Sequence, residues 1–382
     1  MRILFIGNQG NTGFRFISWF RSRGIDAVLL IPKQLKHIRS LPENDDLTLE
    51  NNYPKWIIQF KERIFPYLSP SAKLRKISKQ YDIILTTGNY ILPVLKLNKP
   101  VCFFPVGGDL TQLPFQSKPL ISEIYAYLYR QRIDNVNRIF TVQKDCIWAA
   151  RLLGQADKIE LFPFLVDKET IQKNVNVHLH ENLKEKFEPY DWIFFNPARK
   201  NMNPDKVNYK GSEKLLKAYK KFIEQTKAKV LMIAALYGDD ASEFKAMVNS
   251  LELNEYVSFT CHLSLPDLHA YMKLDNVVVF DQFTYDLVAL GGIVREALAL
   301  GSIVVSSTDV NKEDFMKSYG EDCPLLPAFT EKQILRRMLE ISEMSLAKQK
   351  QVKDEAQKWV DKHIHWTARI DELINKLKQE LS

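Results

Sequence analysis

The sequence predicts an α/β protein of two doubly wound, Rossmann-like domains facing across a cleft. Three observations predict it. Short apolar β-branched runs alternate with helix-period segments through both halves, the pattern of parallel sheets covered by helices. The length of 382 residues suits two ordinary domains. A polar stretch with no sustained apolar period, containing Pro189, separates the halves. The expected boundaries are 1–168 for the first domain, 169–190 for the connection with a short helix, 191–345 for the second domain and 346–382 for the terminal helices.

Composition narrows the class. Hydrophobic residues make up 46% and charged residues 26%, which describes a packed globular chain and not a disordered one. Cys102, Cys146, Cys261 and Cys323 show no metal-ligand spacing, so a reducing cytoplasm is the expected compartment. No apolar run reaches the roughly 18 residues a membrane span needs, and the chain enters a strand without a signal peptide, so the protein is expected to stay inside the cell. The net charge of +7 is uneven: residues 1–165 hold 23 Lys and Arg against 13 Asp and Glu, the remainder 30 against 33. The basic residues are densest over 55–79, where Lys61, Arg63, Lys73, Arg75, Lys76 and Lys79 alternate with Trp56, Ile57, Ile58, Phe60, Ile64, Phe65 and Leu68. Two readings stand: a pair of surface helices with solvated faces, or a peripheral surface that meets an anionic membrane and a lipid-linked acceptor. No nucleic-acid-binding motif accompanies the charge.

Taken in order, Arg2–Ile6 is a strand, Gly7–Gly13 a glycine-containing loop, Phe14–Arg23 a helix and Ala27–Ile31 a second strand. The glycines run G-x-x-G-x-x-G, with no acidic residue closing the second strand and no Gly-Lys-Ser/Thr, so neither a nicotinamide site nor a P-loop is present. Asp82–Thr86 and Val101–Pro105 are strands, and the second runs into Gly107-Gly108-Asp109. Loops at strand carboxyl ends are where open α/β sheets place ligand contacts. Asp109 is there either to accept a proton or hydrogen bond from an acceptor hydroxyl or to cap a helix or turn.

Arg138–Val142 is a strand and Lys144–Leu153 a helix. The second half repeats the alternation, with a strand in the run that opens at Asp191 and leads to Arg199-Lys200, strands at Val230–Leu236 and Val257–Thr260 and helices at Glu213–Glu224 and Glu243–Leu251. His262 and His269 are seven apart, but no cysteine or carboxylate completes a zinc set at the usual spacing. The helices Lys312–Tyr319 and Glu331–Ile341 and a long apolar-periodic pattern over 346–381 close the chain.

The most informative stretch is Val277–Ser307. A buried-type strand ends at Phe280, a polar loop follows, Gly291-Gly292 opens a short helix, Gly301 stops it, and Ile303–Val305 is the next strand. Free N–H groups and the positive helix end suit a diphosphate. Glu296, one turn beyond Gly292, reaches past it towards a sugar hydroxyl.

The run G-G-I-V-R-E-A-L-A-L-G-S-I-V-V resembles the donor-site signature of the GT-B glycosyltransferases of family 4, E-A-x-A-x-G-x-P-V-V after a glycine-containing loop. The resemblance implies a GT-B fold, with an acceptor-side first domain, a nucleotide-sugar-binding second domain and terminal helices crossing back to the first, and a hexosyltransferase that passes a sugar, with retention of configuration, from a nucleotide-diphosphate donor to a glycan or lipid-linked acceptor in surface polysaccharide or glycoconjugate synthesis. It implies that Gly291, Gly292 and Ile293 hold the donor and that Glu296 holds the ribose. The family's earlier glutamate is missing at Val288, and Asp281 and Asp286 are the nearby carboxylates. The order strand, Arg, loop, Lys-Gly, helix gives Arg199 and Lys210 the diphosphate clamp, with Lys200 and Lys206 as competitors and an ordinary solvated basic loop as the alternative. Two such cations would neutralise a leaving diphosphate, and no Asp-x-Asp loop is present, so no metal or other cofactor is expected. Cys261, His262 and Leu263 fall where the family reads the base. Gly10 and Asn11 fall on the first loop, in range of the diphosphate or in a plain tight turn. The same fold serves nucleotide-sugar epimerases, and a non-catalytic sugar-nucleotide-binding partner subunit is a further alternative.

Overall fold

The computed structural model describes the chain except residues 33–41, 43–48, 50–52, 61–68, 118–119, 205–208, 285–289, 308–311 and 382, and the side chains at 120–121 and 312–315. It contains two compact units, Met1–Leu165 with Trp366–Ser382, and Val166–His365.

The first unit holds a parallel sheet of β1 (Arg2–Ile6), β2 (Asp26–Pro32), β3 (Ile57–Phe60), β4 (Ile83–Thr86), β5 (Val101–Phe103), β6 (Arg138–Phe140) and β7 (Ile159–Glu160). Their order is β3-β2-β1-β4-β5-β6-β7, so the winding reverses between β1 and β4. Ile3, Leu4 and Phe5 are fully buried, as a strand covered on both faces requires. In the basic 55–79 region the described residues form a strand and a helix. Ile57–Phe60 pairs in register with Leu29–Pro32 as the edge strand, and Ala72–Ser78 is helical; Lys61, Arg63, Ile64, Phe65 and Leu68 lie outside the described residues. A four-residue run with two buried positions carries too little periodicity to declare itself a strand, and pairing with β2 decides it.

The second unit's parallel sheet is β8 (Trp192–Asn196), β9 (Val230–Ala235), β10 (Val257–Thr260), β11 (Val277–Phe280), β12 (Ile303–Ser306) and β13 (Leu326–Pro327). The order is β10-β9-β8-β11-β12-β13, with the reversal between β8 and β11. One core cluster unites Phe194, Tyr219, Phe222, Met232, Phe280 and Met338. Both sheets are doubly wound, as the sequence predicts.

The stretch expected as the connection plus a short helix holds two helices, Lys168–Lys173 and Val177–Phe187, within the second unit, each capped at its start, by Asp167 and Asn176. Phe187, buried, meets Tyr271 at 6.4 Å between ring centres. The terminal pattern divides at His365. The helix Leu346–His363 belongs to the second unit, and only Trp366–Ser382 joins the first. There Trp366 stacks on Trp19 at 6.0 Å and 1°, and Ile370, Leu373, Ile374 and Leu377 are buried against Phe16 and Phe20. Each such burial contributes roughly 1.5–3 kcal/mol, which makes this helix integral to the first unit.

Candidate functional site

Ligands of doubly wound sheets bind outside the strand carboxyl ends at the point where strand order reverses. In the second unit that point lies between β8 and β11, and the expected residues Arg199, Lys210 and Gly291 are on the loops that leave these two strands.

Asn196, the last residue of β8, is buried and joins the two strands by donating from Nδ2 to the Phe280 carbonyl at 2.6 Å. The loop then carries Arg199 outward and Lys200 inward. Arg199 is exposed, whereas Lys200 is completely buried. The Lys200 ammonium donates to the Asn196 side chain, to the Asn196 carbonyl at 3.1 Å and to the Ala198 carbonyl at 2.7 Å, and lies 4.8 Å from the centre of the Phe244 ring. Burial pushes its pKa down to about 7, while the Asp281 charge pulls it back up. Three oxygens around one ammonium staple the loop shut from inside, so Lys200 holds Arg199 in place and does not compete with it. Lys206, the other competitor, is outside the described residues.

Lys210 closes the same loop. Its N–H donates to the Asn201 carbonyl at 2.9 Å, and its own carbonyl accepts from the Phe283 N–H at 2.9 Å. Gly211 follows at φ 68°, so close to the β11 loop that an added Cβ would lie 2.7 Å from the Phe283 carbonyl oxygen; only glycine meets both demands. The helix Ser212–Gln225 starts immediately after. The Lys210 ammonium donates to the Gln282 Oε1. Burial lowers the Lys210 pKa, Asp281 raises it and Arg199 lowers it further, which puts all three charges in one field.

From β11, Asp281 and Gln282 are both buried. A Cβ on Gly291 would lie 3.1 Å from an Asp281 carboxylate oxygen and 3.4 Å from the Gln282 amide nitrogen. The β11 loop thus links the Lys210 end of the site to the glycine start of the next helix. Gln282 was invisible to sequence reasoning: a neutral amide in a polar loop has no period and no charge, and its partner is 72 residues away. Asp281 is therefore in place beside the clamp, whereas Asp286 and Val288 are outside the described residues.

The helix Gly292–Ala299 begins with Gly292 exposed and Gly291 and Ile293 half-buried, so its first N–H groups face outward. Glu296 is buried on this helix, its Oε2 3.3 Å from Nε2 of His269. His269 and His262 form no metal pair: His262 is exposed and its ring lies 4.4 Å from that of Tyr237. Tyr237 in turn donates its hydroxyl to the Pro197 carbonyl at 3.2 Å. Cys261 is exposed and Leu263 half-buried beside His262. The loops leaving β8, β9 and β10 are so joined through one tyrosine.

The first unit holds the remaining expected residues. Gly10 and Asn11 both take φ 59° after β1. Gly10 is exposed at the tip, while Asn11 is buried and accepts from Asn8 Nδ2 at 2.7 Å. Asp109 is buried at the carboxyl end of β5. It accepts from the Gly88 N–H at 2.9 Å and from the Val106 N–H at 3.0 Å, tying the loop after β4 to the loop after β5. Burial pushes its pKa up to about 6, with the backbone donors pulling it down. Both carboxylate oxygens accept from main chain, so the geometry matches the turn-anchoring alternative.

Among the described residues one group of side chains could hold a metal ion: Asp167, Glu169 and His365, with ligand atoms within 4.8 Å of one another. None of the three belongs to the loops just described.

Residues 206–359 match the model of the family described as Glycosyl transferases group 1. No curated protein sequence matches the chain. Among solved structures, a glycosyltransferase from Rickettsia africae superposes with a TM-score of 0.70 at 14% identity, covering 100% of this chain and 98% of that one. Anabaena HepE, solved with UDP and glucose, gives 0.69 at 14%, covering 99% and 100%. A Listeria monocytogenes protein described as a putative UDP-N-acetylglucosamine 2-epimerase gives 0.58 at 11%, covering 100% and 96%. The chain has the GT-B fold, and its residues 206–359 match the glycosyl transferases group 1 model.

Proposed function

We propose that this protein is a glycosyltransferase that takes a sugar from a nucleotide-diphosphate donor, with retention of configuration, and passes it to a glycan or lipid-linked acceptor in polysaccharide or glycoconjugate synthesis. The observation that carries the reading is the gathering of Arg199, Lys210, Gln282 and the Gly291-Gly292 helix start at the β8/β11 reversal, with Glu296 one turn further along. The diphosphate lies against the helix start, where outward N–H groups and the helix dipole favour an anion. Glu296 takes a ribose hydroxyl, and Cys261, His262 and Leu263 border the base. As the sugar leaves, charge grows on the diphosphate. Lys210 and Arg199 are already positioned to receive it, so catalysis is largely electrostatic and positional, with no divalent metal required. HepE, solved with UDP and glucose, lends the donor class its support.

The acceptor side falls to the first unit. Its loop 106–109 stands at a strand carboxyl end, and residues 1–165 carry the positive excess that favours an anionic membrane surface. No helix among the described residues is long and apolar enough to cross a membrane, so contact of that kind would be peripheral, at the inner face.

The test is product analysis after incubation with labelled nucleotide sugars and a glycan or lipid fraction. Label in the acceptor fraction, with nucleoside diphosphate released, is expected. Epimerised free donor would make the protein an epimerase, and binding without either product would make it a sugar-nucleotide-binding subunit.

A further inference from the structure

We propose that His269 is a positioning residue of the donor site, whose Nε2–H holds the Glu296 carboxylate in the orientation that takes the ribose. The inference rests on the reading of Glu296 as the ribose ligand. His269 lies on the helix Leu265–Met272, which starts at Ser264, whose hydroxyl caps the Asp267 N–H. The helix turns Leu265, Leu268, Ala270 and Met272 inward together with His269. A ring on such a face serves packing alone if its polar atoms are spent on its own surroundings. Here they are not. Among the described residues Nδ1 is buried with no hydrogen-bond partner, and Nε2 lies 3.3 Å from Glu296 Oε2, on a helix 27 residues away.

That asymmetry assigns the tautomer. A hydrogen on Nδ1 would be buried without an acceptor and would leave Nε2 lone pair against carboxylate; a hydrogen on Nε2 gives the carboxylate a donor. His269 is 3% exposed and Glu296 6%, so the bond forms where water competes little. A glutamate left alone would sample several rotamers and order only when ligand arrives. One oxygen held by an imidazole fixes the carboxylate beforehand, and the affinity otherwise lost to that ordering is kept. An apolar residue at 269 would serve the helix packing as well and the donor less well.

The experiment measures calorimetric binding of UDP and of 2′,3′-dideoxy-UDP to the full chain, repeated with the GDP and ADP pairs, for wild type, His269→Leu, His269→Gln, Glu296→Gln and the double variant His269→Leu/Glu296→Gln. It is joined to imidazole nitrogen NMR, and melting temperatures confirm folding. The wild type should favour the ribonucleotide about tenfold or more, as a hydrogen bond to a charged group implies. His269→Leu should shrink that preference by about fivefold to tenfold, and His269→Gln, whose amide keeps an N–H donor, should restore part of it. The double variant should be no weaker than Glu296→Gln, and the ring hydrogen should be on Nε2. If Glu296→Gln loses the preference and folded His269 variants keep it, the positioning role is overturned and the donor reading stands. If neither variant alters it, or none of the three diphosphates binds, the donor reading falls and this role with it. A hydrogen on Nδ1 with none on Nε2 overturns the proposal outright.

Discussion

Lys210→Met is the substitution on which the electrostatic account makes its largest prediction. Methionine keeps the length and removes the charge. In the structure the Lys210 ammonium is held by Gln282, between the fields of Asp281 and Arg199. A unit charge about 4 Å from a phosphate oxygen interacts with it by about 4 kcal/mol at an effective dielectric constant of about 20. Only the part that grows as the diphosphate leaves lowers the barrier. Loss of a single preorganised donor to such a charge costs about 3 kcal/mol, which is more than a hundredfold in rate. Gln282 Oε1 would also lose its donor, at about 1–3 kcal/mol of stability, so folding must be checked. The assay is nucleoside diphosphate release under saturating donor, in excess chelator, for wild type, Lys210→Met, Lys210→Arg and Arg199→Ala. A fall of about a hundredfold in kcat with a smaller change in KM, and partial recovery in Lys210→Arg, are expected. Activity that chelator abolishes and magnesium or manganese restores, with the cation variants little affected, would refute the reasoning.

The buried Lys200 makes stability depend on pH. Its folded pKa of about 7 is below the ordinary 10.5, so between those values the unfolded chain binds the extra proton and stability rises with pH. The rise is at most about 5 kcal/mol, less whatever the three oxygen acceptors return to the ammonium, and it should vanish in Lys200→Met; parallel denaturation profiles for the two proteins between pH 7 and 9.5 would contradict this. Asp109→Asn turns an N–H group towards the Gly88 or Val106 amide and should lower the stability of the first unit by about 1–3 kcal/mol while leaving nucleotide affinity unchanged. A fully stable Asp109→Asn that binds donor but does not turn over would instead return Asp109 to proton transfer.

Much of this architecture is legible in the chain because parallel strands buried on both faces must be continuous apolar runs. β1, β8 and β11 declare themselves in that way, and the glycines of 291–301 bound a helix between strands. What is not legible depends on partners remote in sequence. β3 is a strand because β2 offers it an edge. The helices within 168–187 have too few apolar positions to show a period, and packing on the second unit decides them. In the site, cations at a strand end and a helix start are readable as a phosphate clamp. Which cation points outward is not, since Arg199 and Lys200 are adjacent and the Asn196 and Ala198 acceptors turn Lys200 inward. His269 is visible only as a histidine seven residues from another; its meaning comes from Glu296 on the next helix.

The claim that the β8/β11 reversal is a nucleotide-donor site is tested most directly by calorimetric titration of the purified protein with UDP, GDP and ADP, beside Glu296→Gln and Lys210→Met. The account predicts that one diphosphate binds with 1:1 stoichiometry. It predicts that Glu296→Gln weakens it by about tenfold or more, the worth of a hydrogen bond to a charged group, and that Lys210→Met also weakens it. Binding of none of the three, or binding that both folded variants leave unchanged, would contradict it.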